Sequence, residues 1–410
     1  MRVVHCITGL QGDGAQRVLL RLTEGLQKRG IDNVVVSLSD REPLADAFEE
    51  RGVRVCSLGM PPGIRGILAL QHLRRLLNTL SPDLLQGWMY HANLMASLVG
   101  SLLNGKVPVL WNIRRGTDDA GERKLSTRCV IRANTWLSSR PERIVYCTQQ
   151  SREQHEAIGF SSTHGVVIGN GFELDRFVRS SEARHRIRER FGVAESEILI
   201  GSIGRDDSAK GRPYLIEAFA ELVKRVPNSR LMLVGRGMCE ANSALRRLLV
   251  VSGVASRVVL VGEYSPIAEV YSAIDVLCSS SVGEGFSNVI GEAMCSEVPC
   301  VATDVGNART LLDGIGIVVP PRSAARLAEG LATICSEGRA GWRERGAQAR
   351  SRIVRLYPLD GVVDSYARLY REVVSGRGVR TTRSGVLVGE LADSTQRPTT
   401  VAAQSEGGHG

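Results

Sequence analysis

VLCSSSVGEGFSNVIGEAMCSEVPCVAT, residues 276–303, contains a whole unit of architecture. A short apolar run at 276–279 ends in serines and a Gly-Glu-Gly loop. Residues 288–295 then read as a helix and 300–303 as a second strand. Strand, loop, helix and strand in that order make a βαβ unit, which requires a parallel sheet. The same alternation continues on both sides. Downstream, 324–337 reads as a helix. Upstream lie strands at 198–203, 230–234 and 258–261, with helices at 214–225 and 267–273. Before a polar, charged segment around 179–190 there is a separate series. Its strands fall at 2–7, 33–38, 53–58, 84–87, 107–112, 143–147 and 165–168, and its helices at 15–29, 44–51 and 67–80. The pattern predicts an α/β protein with two doubly wound, Rossmann-like domains facing a central cleft. The expected boundaries are 1–171 and 172–357, then a closing helix at 358–375 and a disordered tail at 376–410, which is poor in large apolar residues. Open α/β sheets bind ligands beyond the carboxyl ends of their strands, so the cleft is the expected site.

Composition narrows the function. The hydrophobic fraction of 43% and charged fraction of 23% are ordinary for a folded chain and exclude wholesale disorder. The net charge is +9, and residues 1–170 hold 21 Lys+Arg against 15 Asp+Glu. That excess favours anionic partners of the first half: nucleic acid, an anionic leaflet or a phosphorylated substrate. A solvated Arg-rich surface accounts for it equally. Aromatics are only 5%, and no zinc finger, RNP-like motif or basic zipper is present, so nucleic acid is not the expected partner. Nine cysteines without a Cys-x-x-Cys pair read as buried reduced thiols of a cytoplasmic protein. No signal peptide is expected, because Met1–Ile7 runs straight into a Gly-rich turn. Residues 84–105 carry no charged side chain, but interspersed Gln, His, Asn and Ser favour a strand and a buried helix over a membrane span.

Three loops carry candidate chemistry, each following a strand. Gly9-Leu10-Gln11-Gly12-Asp13-Gly14 fails the dinucleotide fingerprint, since the sixth place counted from Gly12 is Arg17. It reads either as a tight turn or as a cradle for phosphate or sugar at a helix N-terminus, through Gly12 and Gly14. Gly204-Arg205 with Lys210-Gly211 is no Walker loop. It is a solvated loop, or two cations converging on a diphosphate. In Glu284-Gly285-Phe286-Ser287-Asn288-Val289-Ile290-Gly291-Glu292, Ser287 or Asn288 can cap the helix. The free N–H groups there suit an anion, and the two carboxylates can accept bonds from sugar hydroxyls. The alternative is a capped helix with surface acids. Weaker candidates are Asn170-Gly171, His91 and Arg114.

Taken in order, these segments resemble the retaining glycosyltransferases of family 4, with the GT-B fold, over roughly residues 1–374. Gly12–Arg17 looks like the family's N-terminal Gly-Gly loop, relaxed to Gly-Asp-Gly. Asn170-Gly171-Phe172 with Asp175 and Phe177 resembles its domain junction, with Glu173 where Asp is usual. Gly204-Arg205…Lys210-Gly211 and the Glu284…Glu292 pair match its Gly-Arg…Lys-Gly and Glu-x7-Glu motifs. The resemblance implies catalytic roles for Arg205, Lys210 and Glu284: the two cations on the nucleotide diphosphate, Glu284 on the donor sugar. It implies donor binding by Gly12, Gly14, Gly204, Phe286, Ser287, Asn288, Val289 and Glu292, with Glu292 on the ribose. Many members carry a His after the strand read here at 107–112. This chain has Asn112-Ile113-Arg114 there, so His91 and Arg114 are the acceptor or sugar-side candidates. The implied activity is transfer from a UDP- or GDP-linked sugar to a glycan or lipid-linked acceptor in bacterial cell-surface polysaccharide assembly. No cofactor or metal is expected, and the expected setting is cytoplasmic with peripheral contact at the inner face of the membrane. A nucleotide-sugar epimerase and a non-catalytic sugar-nucleotide-binding protein are the alternatives.

Overall fold

The computed structural model describes residues 1–12, 14–60, 66–103, 107–117 and 125–376. The first series runs β1 (Arg2–Ile7), α1 (Gly14–Gln27), β2 (Asp32–Ser37), α2 (Leu44–Glu49), β3 (Arg54–Ser57), α3 (Gly66–Leu80), β4 (Leu84–Trp88), α4 (Met89–Gly100), β5 (Val109–Ile113), α5 (Leu125–Leu137), β6 (Arg143–Tyr146), α6 (Gln149–Ala157) and β7 (Gly165–Val167). The second begins α7 (Ser181–Arg190), β8 (Ile198–Ile203), α8 (Arg212–Arg225), β9 (Ser229–Val234), α9 (Ser243–Val251), β10 (Val258–Gly262) and α10 (Ile267–Ala273). It continues β11 (Val276–Ser279), α11 (Asn288–Cys295), β12 (Cys300–Thr303), α12 (Ala308–Leu312), β13 (Ile317–Val319), α13 (Ala324–Ser336), α14 (Gly338–Leu356) and α15 (Leu359–Val374).

The strands form two parallel sheets, ordered β3-β2-β1-β4-β5-β6-β7 and β10-β9-β8-β11-β12-β13. Helices cover both faces, which is why strands such as β4 are buried along their whole length. Strand order reverses beside β1 and β4 in the first sheet and beside β8 and β11 in the second. Those reversals open a crevice at the carboxyl ends of the strands. The loops after β1, β8 and β11 are the three singled out from sequence, and His91 follows β4.

The connection between the halves is more closely made than a linker. Phe172 N donates to Tyr357 O at 3.0 Å, and Leu359 N donates to Phe172 O at 3.1 Å. A Cβ on Gly171 would lie 2.6 Å from Leu359 Cα, so only glycine fits this crossing. The chain then returns, and α15 packs its Val362, Val363, Tyr366, Leu369 and Tyr370 into the first domain's core with Val18, Leu22 and Leu26. The closing helix thus completes the N-terminal domain.

Several expectations are corrected. The segment around 179–190 is the helix α7, capped by Ser180 and fastened through buried Arg188, whose Nη1 lies 3.2 Å from Asp275 Oδ2. Helices α5, α6, α9, α12 and α14 and strand β13 were not expected, and β5 begins two residues later than its predicted start. All nine cysteines are free and six are buried, but Cys129 is exposed. The region expected as a disordered tail lies, beyond Gly376, outside the described residues. Among the described residues no helix is long and apolar enough to cross a membrane; 84–105 gives β4 and α4 instead.

Candidate functional site

Two loops of the second domain build the floor of the site. Gly204 (φ 147°) and Gly211 (φ 60°) bracket the loop after β8 in backbone conformations that favour glycine. At Gly211 a Cβ would sit 2.1 Å from the Ser280 carbonyl oxygen, so the loops after β8 and β11 could not meet there with any larger residue. They are joined by Val282 N donating to Ala209 O at 2.7 Å and Ser280 Oγ donating to Lys210 O at 2.9 Å. Asp207 caps the short turn before Lys210 through Ala209 N at 3.0 Å and pairs with Arg205 Nη2 at 3.0 Å. Below the loop lies Arg212, which sequence reasoning missed. It is buried, donates to Ser202 Oγ at 2.5 Å and to Gly204 O at 3.0 Å, and its Nε has no partner. Burial pulls its pKa down to about 10. Its place at the start of α8, where cations are unusual, is the signal that could have found it.

Lys210 and Glu284 meet in an ion pair, and Ser281 Oγ donates to Glu284 Oε1 at 2.8 Å. Both charged side chains remain partly open to solvent, so the pair sits at the cleft surface. Gly285 carries Glu284 against the other domain: a Cβ there would lie 2.5 Å from Arg114 O and 2.7 Å from Arg115 Cα. Phe286 is buried between the rings of Phe172 and Tyr357. The predicted side-chain cap of α11 is not made. Ser287 occupies the cap position but forms no capping bond, and its N–H donates to Asn307 Oδ1 at 2.9 Å. Asn288 is already helical, and its Oδ1 accepts from Asn170 Nδ2 at 2.7 Å. The N-terminus of α11 thus keeps N–H groups without a side-chain cap, suited to an anion.

The N-terminal domain supplies the roof. Gly12 (φ 96°) turns the chain after β1, its N–H donates to Gln16 Oε1 at 2.5 Å, and Arg17 Nε donates to Gly12 O at 2.8 Å. A Cβ on Gly14 would lie 3.5 Å from Asn288 Nδ2, so this turn faces the start of α11 directly. Glu292, one helical turn deeper, accepts from Tyr271 Oη at 2.9 Å. Burial pushes its carboxyl pKa up, against the pull of Arg21, the Tyr271 hydroxyl, Arg176 and Arg17. Arg17 and Arg21 come from α1, so the field at Glu292 is set by both domains. Val289 contributes its carbonyl, 3.4 Å from the Tyr271 hydroxyl.

The sugar-side candidates separate. His91 lies half-buried in the first turn of α4, with its pKa lowered by burial. Arg114 is turned into the junction. Its Nη1 donates to Ile168 O at 2.8 Å and Asn170 Oδ1 at 3.0 Å, and its Nη2 bonds the Tyr366 hydroxyl. The guanidinium also lies 5.6 Å from the Trp88 ring centre. A chain of contacts therefore runs Tyr366, Arg114, Asn170, Asn288, from α15 to the start of α11. Among the described residues no group of three or more His, Cys, Asp or Glu side chains could hold a metal ion.

This arrangement, two parallel α/β domains with their strand-end loops opposed across a cleft, is the GT-B architecture. Residues 13–171 match the family model described as a glycosyl transferase 4-like domain, and 197–337 match glycosyl transferases group 1. Each of the two domains thus matches a glycosyltransferase model. It is 32% identical over 199 residues to alpha-D-kanosaminyltransferase of Streptomyces kanamyceticus, covering 47% of this chain and 50% of that one. It is 31% identical over 247 residues to the phosphatidyl-myo-inositol mannosyltransferase of Mycobacterium tuberculosis, covering 58% of this chain and 61% of that one. The matched segments thus span about half of these relatives' own length. In fold it is similar to Anabaena HepE, solved in complex with UDP, with a TM-score of 0.80 at 20% identity over 91% of this chain and 100% of that chain.

Proposed function

We propose that the chain is a retaining glycosyltransferase moving a sugar from a UDP- or GDP-linked donor to a glycan or lipid-linked acceptor in cell-surface polysaccharide assembly. The observation that carries this reading is the meeting of Lys210, Glu284 and the N-terminus of α11 where strand order reverses, under the Gly12–Gly14 turn. Departure of a nucleoside diphosphate builds charge on the β-phosphate. Two cations and helix N–H groups aimed there stabilise that charge more in the transition state than in the ground state. Without donor, the ammonium of Lys210 is held by Glu284. Donor binding exchanges this pair: the diphosphate takes Lys210, and Glu284 turns to the sugar hydroxyls with Ser281 still bonded to it. Glu292 takes the ribose hydroxyls. The acceptor's proton passes to the leaving phosphate, so no separate strong base is required.

The relatives support a nucleotide-sugar donor and envelope chemistry. Anabaena HepE was solved with UDP-glucose, and a similar Rhizobium meliloti chain is named a lipopolysaccharide core mannosyltransferase. Because Arg205, Lys210 and α11 meet the diphosphate charge, turnover is expected to be unchanged by EDTA. Loss of activity restored by Mg²⁺ or Mn²⁺ would contradict that. The test incubates purified protein with UDP- and GDP-hexoses, alone and with lipid-linked and oligosaccharide acceptors. Nucleoside diphosphate release that depends on acceptor, with the anomeric configuration kept by NMR, is expected. An epimerised donor without acceptor, or donor binding without turnover across the acceptor panel, overturns the reading.

A further inference from the structure

The buried guanidinium of Arg212 is a full charge with no task yet in the transfer. The residue is 5% exposed. Its pKa, lowered by burial to about 10, still keeps it protonated at neutral pH. Both of its hydrogen bonds go to neutral acceptors, the Ser202 hydroxyl and the Gly204 carbonyl. Among the described residues no carboxylate forms an ion pair with it. Asp206, whose field favours its charged form, is exposed and bonded to Asn242 Nδ2 at 2.7 Å. Cys278, also within reach of its field, stays a neutral thiol, pushed up to about 12 by burial. Two neutral acceptors could be met by a neutral amide. The charge is therefore surplus to the hydrogen bonds, and an unpaired buried charge is expensive.

The surroundings add to this charge instead of offsetting it. Arg212 is the first residue of α8, at the positive end of the helix dipole. Gly211 before it offers no side-chain cap, and the first turn of α8 holds no acid. A Cβ on Gly204 would lie 3.4 Å from Lys210 Cε and 3.5 Å from Arg212 Nη2, so the two cations rest against the same glycine. Lys210 reaches Glu284 at the cleft surface, whereas Arg212 reaches the Gly204 carbonyl below. Two cations and an uncapped helix end thus converge after β8. Glu284 answers Lys210, and no carboxylate answers Arg212.

We propose that Arg212 is a third cation of the donor site, a positioning charge that acts on the diphosphate from beneath the loop without touching it. Buried under the Gly204–Gly211 loop, its field is screened less than that of an exposed arginine. In the free protein this charge is unmatched. A diphosphate settling on Lys210 brings the missing countercharge into its field, and the relief adds to donor affinity. The proposal rests on the assignment of the diphosphate to this loop, and it adds a residue that sets the preference for the charged part of the donor. A group acting by charge favours a nucleoside diphosphate over the bare nucleoside.

The experiment titrates the full chain with UDP and GDP by calorimetry, and with uridine and guanosine by ligand-observed NMR. Arg212→Gln keeps hydrogen-bond donors and removes the charge. It should weaken nucleoside diphosphate binding by about tenfold or more and leave nucleoside binding close to the parent's. Arg212→Lys keeps the charge and gives up the forked bonds. It should melt lower yet bind the diphosphate within about threefold of the parent. Ser202→Ala removes one partner and keeps the charge, so it too should stay within about threefold. An arginine that only braced the loop would make all three variants lose nucleoside and nucleoside diphosphate alike, in step with their melting temperatures. That result overturns the proposal, as does parental diphosphate binding in Arg212→Gln. Should Arg212→Gln not fold, the other two variants decide: retained diphosphate binding supports the charge, and a loss of about tenfold in both overturns it. A parent that binds neither nucleoside diphosphate overturns the donor assignment and this proposal with it, a failure that shows without any substitution.

Discussion

At the scale of single residues, Lys210 and Glu292 should fail differently. Lys210 is assigned to charge that grows as the diphosphate leaves, so Lys210→Ala should lower the turnover number by about 10²–10³. Glu292 is assigned to hydroxyls that do not change during the reaction. Glu292→Gln should mainly raise the donor's Michaelis constant, by about tenfold, at a loss of about 1.5–3 kcal/mol per charged hydrogen bond. Steady-state donor kinetics on both variants separate the two roles; near-parental turnover in Lys210→Ala would refute the diphosphate assignment. Glu292 adds a pH signature. Burial raises its pKa, so on the acid side it is protonated over a wider range than an ordinary Glu. The donor's Michaelis constant should therefore fall as pH rises through that raised value, and this limb should vanish in Glu292→Gln. The same shift destabilises the free protein in the opposite sense. The group favours the fold most below the ordinary Glu pKa and loses that contribution as pH rises through the folded value. Arg114 gives a third test. It holds Asn170, which holds Asn288, so Arg114→Lys should cost stability and donor affinity together, since an ammonium cannot reproduce its forked bonds. A melting scan with and without nucleoside diphosphate reads both.

At the scale of elements, the sequence was legible where periodicity and burial agree. The unit β11-α11-β12 lies at 276–279, 288–295 and 300–303, as its apolar runs predict. Two of the helices that escaped are polar for a structural reason. In α7 the arginines look like a linker until Arg188 is seen buried, bonded to the Ala273, Ala194 and Glu197 carbonyls and to Asp275. In α14 Arg and Gly dilute the pattern, yet Trp342, Gly346, Ala349 and Ile353 form a single buried stripe. The candidate loops were legible because glycines and charges follow strands. The Lys210–Glu284 pair and the inward turn of Arg114 were not, because they depend on contacts between loops far apart in sequence. One strand carries a prediction of its own. His5 in β1 is fully buried between Asn33 (3.0 Å) and Trp88, whose Nε1 donates to its Nδ1 at 3.3 Å. Burial lowers its pKa from 6.5 to about 4. The unfolded chain therefore takes up a proton that the folded one refuses, and stability should fall as pH drops from 6.5 toward 4. The loss is on the order of 3 kcal/mol. Urea midpoints followed by tryptophan fluorescence at neutral and acid pH should show it, with a flatter dependence in His5→Gln.

At the scale of the whole molecule, the two domains are coupled at three places that sequence separates widely. They are the Phe172–Tyr357 crossing, the chain from Tyr366 through Arg114 to Asn288, and the close approach of Gly285 to the backbone of Arg114 and Arg115. Two of these involve the last stretch of chain, so α15 has a double role. It fills the N-terminal core and, through Tyr366, holds the arm that reaches α11. A chain ending at Ser375 should keep the parent's melting temperature and turnover, since α15 is complete by Val374. A chain ending at Pro358 should lose the N-terminal domain's cooperative unfolding, because Val362, Val363, Tyr366, Leu369 and Tyr370 leave a core built around them. Gly285→Ala tests the third contact without touching either core. Its new Cβ meets the Arg114 carbonyl oxygen at 2.5 Å and Arg115 Cα at 2.7 Å, both backbone atoms that no rotamer change can move. Either the loop after β11 or the loop after β5 must withdraw, and Glu284 moves with the first. Turnover with saturating donor should therefore fall by more than the melting temperature predicts, whereas an Ala at a merely spacious surface glycine would change neither. Donor kinetics beside a melting scan decide it: parental turnover in Gly285→Ala would show that the close approach of the domains at this point is not required for transfer.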